Sequence, residues 1–151
     1  MNPMQGVFQG FDITNSALSA EMQRSEVVAA NLANMHVTGN SEREPYRRKS
    51  VVFEEILAQA NNSLADVNGG DRLSAGVRVR EVVEDRSTQF FEAYDPGHPD
   101  ANEQGFVLRS NVDMFRELMD LTVVRRSFQA NLAAMRTYRT MLQATIQNFR
   151  S

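Results

Sequence analysis

Apolar positions cluster in two long blocks free of glycine and proline, one near each end of the chain, with a punctuated middle between them. All eight Gly and four Pro lie between residues 3 and 105, and none lies between Phe11 and Thr38. Because these residues are the ones that most reliably interrupt helices, the pattern predicts a helix at each end. The first spans Asp12 to about Asn34, with Asp12 placed to accept hydrogen bonds from the free amides of the opening turn. Ile13, Ala17, Ala20 and Val27 share one stripe of it, and Leu18, Met22, Ala29 and Leu32 form a second stripe alongside.

The second helix spans about Val112 to Arg150. Ser110 or Asn111 can cap its amides, and Asp113 sets a negative charge against its positive end. Met114, Leu118, Leu121, Phe128, Leu132, Met135, Leu142 and Phe149 recur at close to heptad spacing, broken by Arg125 and Arg139. Val124, Tyr138, Met141 and Ile146 widen that apolar arc beyond what one neighbouring helix covers. At ~1.5 Å per residue the helix is roughly 58 Å long. A compact globule of 151 residues cannot bury it. The double stripes therefore predict that the chain completes its contacts in an assembly.

Between the helices the pattern is shorter-ranged. "YRRKSVVFEEIL" fits a strand or a helical turn, and "VRVREVV", residues 77–83, alternates as a strand should. "TQFFEAY" and "GFVLR" are shorter strand candidates joined by the turn-rich "DPGHPDANEQG". Residues 58–76 are polar, with Gly69 and Gly70 adjacent, and read as a flexible excursion. The expected fold is mainly α with a small β-rich middle. Its parts are an N-terminal helix (1–34), a loop and β-rich region (35–111) and a C-terminal helix (112–151), the two helices pairing as a coiled coil.

Composition removes several functions. There is no cysteine, which excludes disulfides, thiolate nucleophiles and sulfur-ligated metals. No run of about 18 apolar residues is present to cross a membrane, and the N-terminus has neither a basic region nor a long apolar stretch of the secretory kind. A surface-lying membrane anchor is disfavoured too, because the first helix is rich in Ala, Asn and Ser and lacks bulky inserting residues. The net charge of −3 argues against nucleic-acid binding. That charge is uneven: from Val112 onward six Arg oppose three acids, +3, leaving −6 on the remainder. A basic tail on an acidic body favours docking between copies. The basic "YRRK", residues 46–49, is expected to meet an acidic surface on a neighbouring subunit.

Catalytic frames are missing. His36 and His98 stand in loops with no companion ligands at metal-binding spacing. The adjacent pairs Glu54–Glu55 and Glu84–Asp85 point apart on a helix or strand, so neither converges on one substrate atom. No phosphate-cradling glycine loop or nucleophile elbow occurs. The expectation is a non-enzyme that needs no cofactor or metal. Its rival is a soluble enzyme with an unrecognised site.

Several segments then meet a family. "AANLANMHVTGN" resembles the Asn-Leu-Ala-Asn signature that closes the N-terminal helix of bacterial flagellar axial proteins, the rod, hook and related subunits. "YRRKSVVFEE", "YDPGHPDANEQGFV", "SNVDMFRELMDL" and "RRSFQANLAAMRTYRTML" follow in the order seen in the basal-body rod branch, and the resemblance spans nearly the whole chain. It implies a structural subunit of the proximal rod. The paired terminal helices would form an inner domain stacked helically around an export channel, and the packed helices would carry torque from motor to hook. It implies copies of the same chain and neighbouring rod proteins as partners, and passage unfolded through the flagellar type III export apparatus without a cleaved signal. A sister axial protein elsewhere in the rod is the nearest alternative. Transferred by motif, Asn31, Leu32, Ala33 and Asn34 shape the end of the first helix. Ser110, Asn111, Val112 and Asp113 set entry into the second. Arg126, Ser127, Phe128, Gln129, Ala130 and Asn131 contribute packing, with Leu118, Leu121, Leu132, Met135 and Leu142 along the assembly seam.

Overall fold

The computed structural model describes residues 3–40, 43–57 and 74–150. In chain order the elements are α1 (Pro3–Ala33), β1 (Thr38–Gly39), β2 (Lys49–Leu57), β3 (Ser74–Glu84), β4 (Phe91–Tyr94), β5 (Phe106–Arg109) and α2 (Met114–Arg150). Both helices and every strand expected from the sequence are present. Among the described residues no helix is long and apolar enough to cross a membrane. The polar excursion at 58–76 falls outside the described residues except for its last three, which open β3.

The chain divides into two compact units. One gathers residues up to 22, 53–80 and 126 onward; the other holds 23–52 and 81–125.

In the first unit, α1 begins at Pro3, not near Asp12, and continues through Gly6 and Gly10. Proline is well placed there, because its missing N–H is one that the first turn leaves unpaired anyway. Asp12 therefore lies inside the helix and caps nothing. Gly10 persists mid-helix because the Tyr138 ring of α2 sits against it: an added Cβ would come 2.6 Å from Tyr138 Cζ. Gly76, at the start of β3, has φ +135°, a conformation that L side chains rarely adopt. The Val77 amide beside it donates to Ser16 Oγ of α1 at 3.0 Å, so the strand meets the helix backbone to hydroxyl.

In the second unit, β1, β5 and β4 form an antiparallel sheet in that order, with Thr38 opposite Arg109, Ala93 opposite Val107 and Tyr94 opposite Phe106. Val107 is fully buried, whereas Tyr94 and Phe106 sit edge to face on the outward side, 5.3 Å between ring centres. The loop before β5 is tied by its own side chains. Asn102 Oδ1 accepts from the Gln104 and Phe106 amides at 3.0 and 2.9 Å, and Thr38 Oγ1 donates to Asp100 Oδ2 at 2.6 Å.

The cap of α2 differs from the expected one. Asp113 Oδ1 accepts from the amides of Phe115 at 2.8 Å and Arg116 at 3.4 Å, so Asp113 is the capping residue. Ser110 and Asn111 are buried and bond elsewhere. Asp113→Ala should cost about 1 kcal/mol and lower the melting temperature by roughly 2–4 °C in a chain of this size. Circular dichroism melting measures it; an unchanged midpoint would rule out the cap.

The buried seam of α2 also departs from the heptad expectation. In the second unit it runs through Glu117, Leu121 and Val124, with Met114 and Leu118 largely exposed; in the first unit Phe128 is exposed and Leu132, Met135 and Leu142 are half-buried. The carboxylate of Glu117 takes the buried place on this helix face that the pattern gave to the neighbouring Leu118. The partners of that carboxylate define the next site.

Candidate functional site, a buried polar clamp

At the C-terminal end of α1, the second unit encloses a network of polar side chains. Asn31 and Glu117 are both 0% exposed. Asn31 uses its full hydrogen-bonding capacity. Its Nδ2 donates to the Lys49 carbonyl at 2.8 Å and to Glu117 Oε2 at 2.9 Å. Its Oδ1 accepts from the Lys49 amide at 2.9 Å and the Tyr46 hydroxyl at 3.0 Å. The carboxamide thus pairs with the backbone of Lys49 as an adjacent strand would, fixing the first residue of β2 to the end of α1.

Arg48 supplies the charge that lets Glu117 stay buried. Its Nε donates to Glu117 Oε1 at 2.6 Å and its Nη2 to Asp120 Oδ2 at 3.0 Å, while Arg24 of α1 reaches Asp120 Oδ1 at 3.4 Å. Two arginines and two acids therefore alternate across α1, the β2 approach and α2, and their charges cancel. Asn111 secures the other side. Its Oδ1 accepts from the Arg48 amide at 2.7 Å, and its Nδ2 donates to the carbonyls of Asp85 at 3.0 Å and Thr88 at 3.2 Å. The Asp85 amide returns a bond to the Arg48 carbonyl at 2.8 Å.

Local electrostatics follow these contacts. Burial, then the carboxylates of Glu117 and Glu84, raises the Tyr46 phenol above its ordinary value. Tyr46 therefore remains a proton donor to Asn31. Hydrogen bonds from the Ser87 and Thr88 hydroxyls and amides hold the Asp85 carboxyl well below the usual carboxylate range. Among the described residues no group of three His, Asp or Glu side chains could hold a metal ion. The chemistry of the network is structural: it locks one end of α1 to the start of α2 and to β2.

Two family descriptions match the segments that supply the helical members of the clamp. Residues 11–39 match the model for "Flagella basal body rod protein" and residues 103–148 the one for "Flagellar basal body rod FlgEFG protein C-terminal". The flagellar basal-body rod protein FlgC of Bacillus subtilis is 38% identical over 147 residues, covering 93% of this chain and 96% of the relative. The chain belongs to the FlgC family of flagellar basal-body rod proteins. FlgC of Escherichia coli is 36% identical and that of Salmonella typhimurium 35%, each covering 90% of this chain and 92% of the relative. Membership makes the chain a structural subunit of the flagellar rod, with other rod components as its surroundings in the basal body.

The motif residues of this rod subunit divide by position. Asn31, Ser110, Asn111 and Val112 are buried in the second unit. Asn34 donates through Nδ2 to the Ala30 carbonyl at 2.7 Å and so closes the end of α1, while Leu32 is half-buried and Ala33 exposed. In the first unit Gln129 and Ala130 are exposed and Asn131 is half-buried. Arg48, Glu117, Asp120, Arg24 and Tyr46 were not singled out by sequence reasoning as parts of one site. The "YRRK" patch, expected to meet a neighbouring subunit, has contacts within its own chain. Arg48 pairs with Glu117 and Asp120, Arg47 with Glu44 and the Phe90 ring, and the Lys49 ammonium lies 5.6 Å from the Tyr46 ring centre. The two arginines are thus paired with acids of the same chain, and the lysine lies over an aromatic ring.

Proposed function

We propose that this chain is a non-enzymatic building block of the proximal rod, stacked helically with copies of itself and neighbouring rod proteins around a central export channel. Its task is mechanical, the transmission of torque from motor to hook. In this reading α1 and α2 pair as a coiled-coil inner domain, residues 35–111 lie outside it, and the chain reaches the periplasm unfolded through the flagellar type III apparatus, without a cleaved signal.

One observation carries the reading. α2 keeps a large apolar surface open when the chain is alone: Phe115 is 73% exposed and Met119 71%, and Phe128, Met141 and Ile146 are also more than a third exposed. Surface of that kind marks an interaction site. In a chain whose relatives are rod proteins from end to end, the covering surfaces are other rod subunits. Mechanical load needs side chains that cannot slide, and the clamp at Asn31, Arg48 and Glu117 supplies a directional joint that apolar packing alone does not.

The experiment is genetic. Deleting the gene should stop flagellar assembly at the basal-body stage, and the unmodified chain should restore it. Phe128→Asp should abolish rod assembly and swimming while the variant is still exported, because a carboxylate on that row cannot be desolvated against a neighbour. Normal swimming on soft agar with Phe128→Asp would overturn the assembly role of that row.

A further inference from the structure

We propose that the outer face of the first turns of α2, made by Phe115, Leu118, Met119 and Arg125, seats the outer face of α1 from a second copy of the chain, around Glu26 and Ala33. The inference rests on the rod-subunit reading and specifies which faces meet.

Three observations select that occupant. The first is charge. Arg125 and Glu26 are both exposed and opposite in charge, and among the described residues neither forms an ion pair. The second is shape. The α2 face is bulky and apolar, and the α1 face between Glu26 and Ala33 is lined by Ala29 and Ala30, so large side chains meet small ones and the backbones can approach closely. The third is register. Within the second unit α1 and α2 run antiparallel, Arg24 meeting Asp120 and Asn31 meeting Glu117. A neighbour stacked with the same polarity presents its α1 antiparallel to α2 as well. Leu118 and Arg125 are seven residues apart, as are Glu26 and Ala33. Setting Leu118 against Ala33 therefore brings Arg125 opposite Glu26, two turns along each helix. Because the two faces differ, the contact is heterologous and repeats from copy to copy.

The test uses the full chain in cells where it replaces the native copy. Arg125→Glu and Glu26→Arg should each reduce swimming at least tenfold, and the doubly substituted chain should recover at least half of it. Normal swimming by the single variants, or no recovery by the double one, overturns the pairing. The absence of cysteine permits a second arm. A chain with both Leu118→Cys and Ala33→Cys, oxidised in isolated basal bodies, should give covalent multimers beyond the dimer on a non-reducing gel, and neither single variant should give them. Motile cells without that ladder, dimers from one cysteine alone, or a single adduct to a different rod protein would each overturn the proposal while leaving the rod assignment intact. If the cysteine chain does not assemble, the charge exchange decides. A deletion strain that still builds flagella would instead remove the rod reading itself.

Discussion

Arg48→Met is expected to destabilise the chain by about 3–5 kcal/mol, the usual penalty for stranding one member of a buried ion pair. Glu117 is fully buried, and the Arg48 guanidinium bonded to its Oε1 at 2.6 Å supplies its cation. Methionine keeps much of the arginine volume but supplies neither charge nor donor. Asp120 would retain Arg24, at 3.4 Å and partly in solvent, so it adds little to the loss. Glu117→Leu made together with Arg48→Met should recover a good part of the stability, because replacing both members removes the stranded charge. It cannot recover all of it, since Asn31 Nδ2 would still lack one acceptor. Urea unfolding of the four chains of this double-mutant cycle gives the coupling, expected above about 1.5 kcal/mol. A loss below about 1 kcal/mol for Arg48→Met would show that Glu117 is held by something other than this pair.

Asn31→Ala should be nearly as damaging, by a different route. The carboxamide serves four groups at once, the amide and carbonyl of Lys49, the Tyr46 hydroxyl and Glu117 Oε2. Each buried group left without a partner costs about 1–3 kcal/mol, less whatever water can enter to repair. A total of roughly 3 kcal/mol or more is therefore expected. Asn31→Asp should be worse than Asn31→Ala, since it removes the donors and sets a second carboxylate against Glu117. Hydrogen exchange gives a local readout. The Lys49 amide, bonded to Asn31 Oδ1 at 2.9 Å, should lose protection in Asn31→Ala while the Val107 amide, in the sheet, keeps its own. Retained protection at Lys49 would refute the strand-mimicking role of this asparagine.

Much of the architecture was legible because it rests on local rules. The absence of breakers from Met114 to Arg150 dictated α2, and the alternation in "VRVREVV" dictated β3. The start of α1 lies ahead of the place the breaker pattern predicts, because the helix runs through Gly6 and Gly10. The contact that fills the space at Gly10, the Tyr138 ring, lies far away in sequence. The clamp was half-legible. Asn31, Ser110 and Asn111 stood out as motif residues, yet their partners did not. Glu117 sits on a seam that apolar periodicity alone would have filled with Leu118, and Arg48 looked like a surface charge among three cations. No spacing rule links residue 48 to residue 117. One sign was available beforehand: an acid one turn into an otherwise apolar helix face needs a cation, and the chain's densest cations lie at 46–49.

The separation along the chain of the groups that meet at Asn31 also fixes when the joint can form. Glu117 lies 86 residues beyond Asn31, and Arg48 is 69 residues before Glu117. A polypeptide emerging amino end first would already display Asn31, Tyr46 and Arg48, but would have nothing to neutralise the arginine until the last third had followed. Closure is thus deferred by chain order itself, as expected where distant contacts must wait for a large loop to close. The tether sets only once residues 31, 48 and 117 are all present to meet one another.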